Sequence, residues 1–227
     1  IFGQYDWNRL PSMIPELMLL PESSRFLNLY RISAWTRTIV VPMLIVYALR
    51  PRVEVSFSIR DLQLPYTPAG AKNFTNAFWR SCFKFIDRAM GLYNRIEVRW
   101  LRRRALAKAE AWMLERLRPP GGLGAIYPPM LNAVIALRTL GYSNDSPEFS
   151  KAMREFRALE TESGGALRMQ PCFSAIWDTA WAVHALARGG TPDAESVRRG
   201  ADWLLSKEIF TGGDWQVNNP AGQPGAW

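Results

Sequence analysis

AWMLERLRPPGG (111–122) and DWLLSKEIFTGG (202–213) are two copies of one pattern. Trp112 stands 91 positions before Trp203, and Gly121 and Gly122 precede Gly212 and Gly213 by the same offset. Between the copies, AVIAL (133–137) returns as AVHAL (182–186), 49 residues on. One class of segment carries Trp-Leu and charges; the other is Ala, Val and Leu. Self-similarity on this scale predicts stacked helix pairs in two layers, with the apolar class inside. The expected fold class is all-α, as an open solenoid or a closed α/α toroid, and no β-alternation of useful length is visible. In the Gly-Gly-x-Trp turn at 212–215, glycines permit a tight reversal, and Trp215 can stack on a neighbouring helix end.

The totals suit such a fold. The chain has 227 residues, 48% hydrophobic and 21% charged, enough for a real core. Its ten tryptophans, 11 Phe and 7 Tyr suit packing, a membrane interface or an aromatic-lined cavity. Cys82 and Cys172 form no CxxC, which argues against a disulfide framework and a zinc site. His184 is the only histidine, so two-His metal motifs are excluded. It lies in an Ala/Val/Leu run, and a structural role is expected for it. IFGQYDW opens the chain without Met or a signal pattern, and GQPGAW closes it inside a turn, so both ends read as cuts.

The net charge of +8 is concentrated between Phe78 and Lys108. Nine basic residues there face only Asp87 and Glu97. FWRSCFKFIDRAMGLY has helical periodicity: Phe78, Cys82, Phe85, Ile86, Ala89 and Tyr93 share one face, and Arg80, Lys84 and Arg88 form a row on another. Two readings stay open, an ordinary surface helix with its apolar face on the core, or a basic amphipathic helix on an anionic membrane. No nucleic-acid motif accompanies the Arg102–Arg104 run, so no nucleic-acid partner is expected. IVVPMLIVYAL (39–49) is too short to span a bilayer and reads as a buried helix.

Two regions follow. Residues 1–105 combine Pro-rich connections with the basic segment at 78–101; residues 106–227 carry the helical repeats. Pro11, Pro15 and Pro21 predict extended pieces and short turns before residue 30. A helix should run from about Ser33 to Leu49, interrupted or kinked at Pro42. Residues 51–76 form a long connection.

RGADWLLSKEIFTGGDW (199–215) resembles the QW repeat of the squalene-hopene and oxidosqualene cyclases. Arg199, Gly200, Trp203, Leu204, Gly213 and Trp215 match it, and Glu208 stands where the repeat has glutamine. The copy at 108–124 is weaker, with Leu117 and Gly124 replacing the glutamine and the last tryptophan. FGQYDW, PELMLLP, SAWTRTIVVP, GLGAIYPPM and SAIWDTA resemble stretches of the bacterial cyclases in the same order.

The resemblance implies a monotopic enzyme on the cytoplasmic side of the bacterial inner membrane. It implies an α/α barrel that folds squalene in an apolar cavity, protonates a terminal alkene and guides carbocations to hopene, with no metal or organic cofactor. Partners implied are squalene and a membrane surface, and a homodimer is allowed. Trp35 and Trp177 match cavity tryptophans, Ile126, Tyr127 and Pro128 a cavity wall, and Ile32 and Val40 the substrate entrance. Asp178 answers to a carboxylate supporting the acid; its residue-level alternative is a helix N-terminal carboxylate. Phe78, Trp79, Phe85, Ile86 and Tyr93 are the implied membrane contacts. The family's Asp-x-Asp-Asp acid is absent: Asp145, Asp193, Asp202 and Asp214 each stand alone. In the family this motif follows shortly after a stretch like GDWQVNNPAGQPGAW, so it is expected beyond Trp227. No catalytic acid is therefore assigned, and the chain alone is expected to be inactive and poorly soluble. Another class II cyclase, acting on oxidosqualene or a shorter isoprenoid, and a non-catalytic helical-repeat binding module remain alternatives.

Overall fold

The computed structural model describes residues 1–24, 28–59, 77–189 and 194–227. Seven α-helices occur among them: α1 (Ala34–Leu49), α2 (Ala77–Ile96), α3 (Arg99–Leu117), α4 (Tyr127–Leu140), α5 (Pro147–Arg157), α6 (Ala175–Arg188) and α7 (Ala194–Leu205). Most of the 51–76 connection lies outside the described residues. Its described start runs back along the N-terminus, where Val53 N–H donates to Ile1 O at 2.9 Å.

α1 is the centre of the core. Ser33 Oγ accepts from Thr36 N–H and caps it. Of the two expectations at Pro42, interruption or a kink, interruption does not occur: the helix continues through Pro42, which is buried. Val41, Leu44 and Ile45 form its fully buried stripe. Against this stripe pack α4, through Ala133, Ala136 and Leu137, and α3, through Ala109, Trp112 and Met113. α5 covers α4, and the 3₁₀ turn Pro15–Leu19 lies along α3. The change of texture at residues 105–106 falls inside α3, where Ala105 and Ala109 are both buried.

The inner-layer expectation holds for α4. It does not hold for α6, which has no buried side chain and packs chiefly on α7. That pairing depends on Gly200: a Cβ there would stand 2.4 Å from Val183 Cγ2. A hairpin, β1 (Glu160–Ser163) and β2 (Ala166–Met169), reverses at Gly164–Gly165 and joins α5 to the segment before α6. It corrects the expectation of no strand. All eight strand residues are exposed, so no burial alternation marks it; the Gly-Gly dipeptide was the available signal.

Candidate functional site

The residues matched to a cavity wall come from three chain segments. Asn28 Oδ1 accepts from Arg31 N–H at 2.9 Å and closes a 3₁₀ turn, after which Ile32 and Ser33 are extended and Trp35 sits in the first turn of α1. Thr38, one turn on, donates to Trp35 O at 2.8 Å and borders Gly124. Gly124 leads into Ala125, a non-glycine residue held at φ +53°. That strained turn aims Ile126 into an antiparallel bridge with Cys172. Tyr127 N–H donates to Pro171 O and Phe173 N–H to Ala125 O, both at 2.9 Å. The start of α1, the 124–128 turn and the approach to α6 therefore adjoin.

Trp35 and Trp177, at the starts of α1 and α6, are 60% and 68% exposed. Ile32 and Pro128 are exposed as well, while Val40 packs partly buried against the core. The Tyr127 ring lies 5.4 Å from that of Phe156 on α5. Asp178 accepts from Ser174 Oγ at 2.7 Å in the first turn of α6. This is the arrangement of a helix N-terminal carboxylate. His184 is exposed, edge-on to Trp181 at 6.1 Å. Among the described residues, no cluster of His, Cys, Asp and Glu could hold a metal ion.

A polar network invisible in the sequence fixes one side of this surface. Asp214, in the Gly-Gly-Asp-Trp turn, is held between two guanidinium groups. Arg37 Nη2 reaches Oδ2 at 3.2 Å, and Arg116 Nη2 pairs with Oδ1. Arg37 is buried and also donates to Ile32 O at 2.7 Å. Arg116 stacks over Trp112, 4.0 Å from the ring centroid. Asp214 thus ties the turn after α7 to α1 and α3. Trp215 borders Gly222 of its own loop. Glu208 lies near Gly225, and Lys207 lies over the Trp203 ring at 5.5 Å. Arg199 is exposed on α7 and Leu204 half-buried.

Trp227, the residue beyond which the acid motif is expected, folds back onto this last unit. Its indole Nε1–H donates to Leu204 O at the end of α7, and the neighbouring Ala226 bridges Ile209. The ring stays exposed, and these contacts fasten the loop after α7.

α2 is oriented opposite to an ordinary surface helix. Its polar edge meets the rest of the chain. Asp87 Oδ1 accepts from Ser12 N–H at 2.7 Å, Gly91 lies against Ser12 Oγ, and Asn94 Oδ1 accepts from Arg102 at 2.8 Å. Its apolar face points outward: Phe78, Trp79, Phe85 and Ile86 are exposed, Phe85 to 73%, and so are Phe83, Leu92 and Ile96. Tyr93 departs from the expected outward set. Its hydroxyl is buried beside Glu16, and burial first, then the Glu16 charge, raises its pKa. Glu16 is held by Arg102 Nε at 2.8 Å. The helix ends at Glu97 (φ +34°), so the basic run from Arg99 onward belongs to α3 and not to α2.

Residues 1–164 match the squalene-hopene cyclase N-terminal domain family, and residues 173–227 match the squalene-hopene cyclase C-terminal domain family. The chain is 35% identical, over its whole length, to a squalene-hopene cyclase of Bradyrhizobium diazoefficiens, covering 36% of that protein. It is 33% identical over its whole length to the squalene-hopene cyclase of Alicyclobacillus acidocaldarius, again covering 36% of it. Over 92% of the chain it is 32% identical to a dammaradiene synthase of Dryopteris crassirhizoma, covering 31% of that protein. The chain therefore spans about a third of the length of the curated relatives it matches.

Proposed function

Since the chain belongs to the squalene-hopene cyclase family, we propose that it forms one wall of the substrate cavity of a triterpene cyclase and attaches that enzyme to a membrane. Squalene, the substrate in the relatives' names, folds against the wall and is cyclised by a proton-initiated carbocation cascade. The helix pairs α3–α4 and α6–α7 are units of an α/α barrel, with 199–215 as a QW repeat. The proton donor lies outside these residues, which contain no Asp-x-Asp-Asp.

The cascade needs a surface that stabilises moving positive charge without offering it a nucleophile. Aromatic faces do this through their quadrupoles, and exclusion of water prevents early quenching. The observation that carries the reading is the pair of unburied tryptophans, Trp35 and Trp177, on segments joined through the 124–128 turn. In this role Ile126, Tyr127 and Pro128 shape the wall, Ile32 and Val40 the entrance, and Asp178 supports the acid through hydrogen bonds. Trp177→Ala should strongly reduce conversion of squalene to polycycles, read by mass spectrometry on protein that carries its downstream sequence. Undiminished turnover by Trp177→Ala would remove Trp177 from the cavity. The match to a dammaradiene synthase favours one alternative, a different product from the same chemistry, which the product's fragmentation would identify.

The membrane part of the reading is supported by the outward apolar face of α2. Among the described residues no helix is long and apolar enough to cross a membrane, so α2 would lie in one leaflet's interface. Phe78, Trp79, Phe85 and Ile86 enter the acyl boundary, and the anionic inner leaflet of a bacterial membrane suits the flanking arginines. Phe78→Ser/Phe85→Ser should abolish sedimentation with phosphatidylcholine vesicles.

A further inference from the structure

A cleft of about 410 Å³ opens where the polar edge of α2 meets residues 7–13 and the end of α1. Three arginines line it: Arg50, Arg88 and Arg95. Among the described residues none of them makes an ion pair. The one acid in the lining, Asp87, accepts from Ser12 N–H through Oδ1, which leaves the arginines in excess. Arg50 is unusual in its backbone. It closes α1 in the left-handed region, at φ +47° and ψ +56°, a position that favours glycine. A non-glycine residue kept there is a strained feature of the kind that collects at binding sites. Its guanidinium is steadied by Asn8 Oδ1 at 3.1 Å, with the Trp7–Tyr47 ring pair beside it.

The lining also has an apolar part. Leu10 and Leu92 border the cleft and are both exposed. Leu92 belongs as well to the outward apolar face of α2. A ligand filling this cleft carries a compact anion for the arginines and a hydrocarbon part that continues along Leu92. Guanidinium groups match phosphate oxygens in charge and in paired hydrogen bonds. We infer that this cleft binds the phosphodiester headgroup of an anionic phospholipid, and so fixes the depth and rotation of α2 at the membrane surface. The inference rests on the membrane part of the proposal above.

The test is sedimentation of the protein with vesicles of phosphatidylcholine alone and of phosphatidylcholine mixed with phosphatidylglycerol. Arg88→Gln/Arg95→Gln is compared with Arg103→Gln/Arg104→Gln, which removes the same charge from exposed positions outside the cleft lining. The cleft variant should lose about thirtyfold in partition to the anionic vesicles, from about 1 kcal/mol per arginine at the surface, and keep its binding to neutral ones; the control, on α3 away from the cleft, should lose less than about threefold. Arg88→Lys/Arg95→Lys, which preserves charge and fold, should still lose part of the preference because lysine lacks the paired geometry. Equal losses in cleft and control variants would overturn the site in favour of diffuse attraction. Failure of the unaltered protein to bind either vesicle would overturn the membrane reading and the lipid site together. Broadening of the inorganic phosphate ³¹P line that is lost in the cleft variant, without preference for anionic vesicles, would assign the cleft to free phosphate and overturn the lipid.

Discussion

Replacing Arg102 by methionine tests how α2 is held. Arg102 and Glu16 meet at 2.8 Å with side chains only 8% and 9% exposed. Arg102 also donates to Asn94 at 2.8 Å, so one guanidinium joins the 3₁₀ turn at 15–19, the end of α2 and the start of α3. Methionine keeps the aliphatic stem and removes the charge. It leaves the Glu16 carboxylate buried without its cation, with only the Tyr93 hydroxyl beside it. Breaking one side of a buried pair costs about 3–5 kcal/mol, and the Asn94 bond adds about 1 kcal/mol. At roughly 2–4 °C per kcal/mol for a chain of this size, the melting temperature should fall by about 15 °C. Glu16→Leu/Arg102→Met should cost much less than the two single changes added together, because no charge is left stranded. Urea unfolding of the four proteins gives the coupling energy, expected to exceed about 2 kcal/mol. Trypsin should also cut sooner at Arg95 and Arg99 in Arg102→Met. Additive losses, or a single-variant cost below about 1 kcal/mol, would refute the claim that this pair anchors the helix.

Asp214→Asn keeps the shape and removes the charge between Arg37 and Arg116; with Asp214 partly exposed, the loss should be about 2 kcal/mol by urea unfolding. Gly200→Ala improves helix propensity but drives a methyl into Val183, a side chain stiff at χ1. It should destabilise by about 1–3 kcal/mol, with partial recovery in Gly200→Ala/Val183→Ala. Tyr142 donates to Glu110 Oε1 at 2.6 Å, and this bond, with burial, pushes its pKa up to about 12. A raised folded pKa means the folded state holds the proton more tightly. The stabilisation is complete below about pH 10 and disappears as pH rises towards about 12. Absorbance of tyrosinate should show a late-titrating tyrosine, besides the raised Tyr93, that vanishes in Tyr142→Phe, and stability curves of the two proteins should converge over that interval.

The helices were legible because their signals are local. Ser33 before the apolar run and the three-and-four spacing of Phe78, Cys82, Phe85 and Ala89 act within a turn or two of the chain. The repeat of Trp112 and Trp203 likewise needs only the sequence. The hairpin at 160–169 escaped because an exposed ribbon carries no pattern of burial.

Which way each helix faces was beyond local reading. The periodicity of α2 separates a greasy face from a basic one but is the same whether the greasy face looks in or out. Contacts of Asp87, Gly91 and Asn94 with distant residues turn it outward, and with them Tyr93 lies in beside Glu16. Arg37 and Asp214 are 177 positions apart, and Arg102 and Glu16 are 86 apart. Nothing in the sequence near any one of them names its partner. Propensity and periodicity come from a residue and its immediate neighbours, so a linear chain carries them openly. Burial, ion pairing and the exposure of a tryptophan depend on what distant segments place nearby, and those arise only when the helices pack.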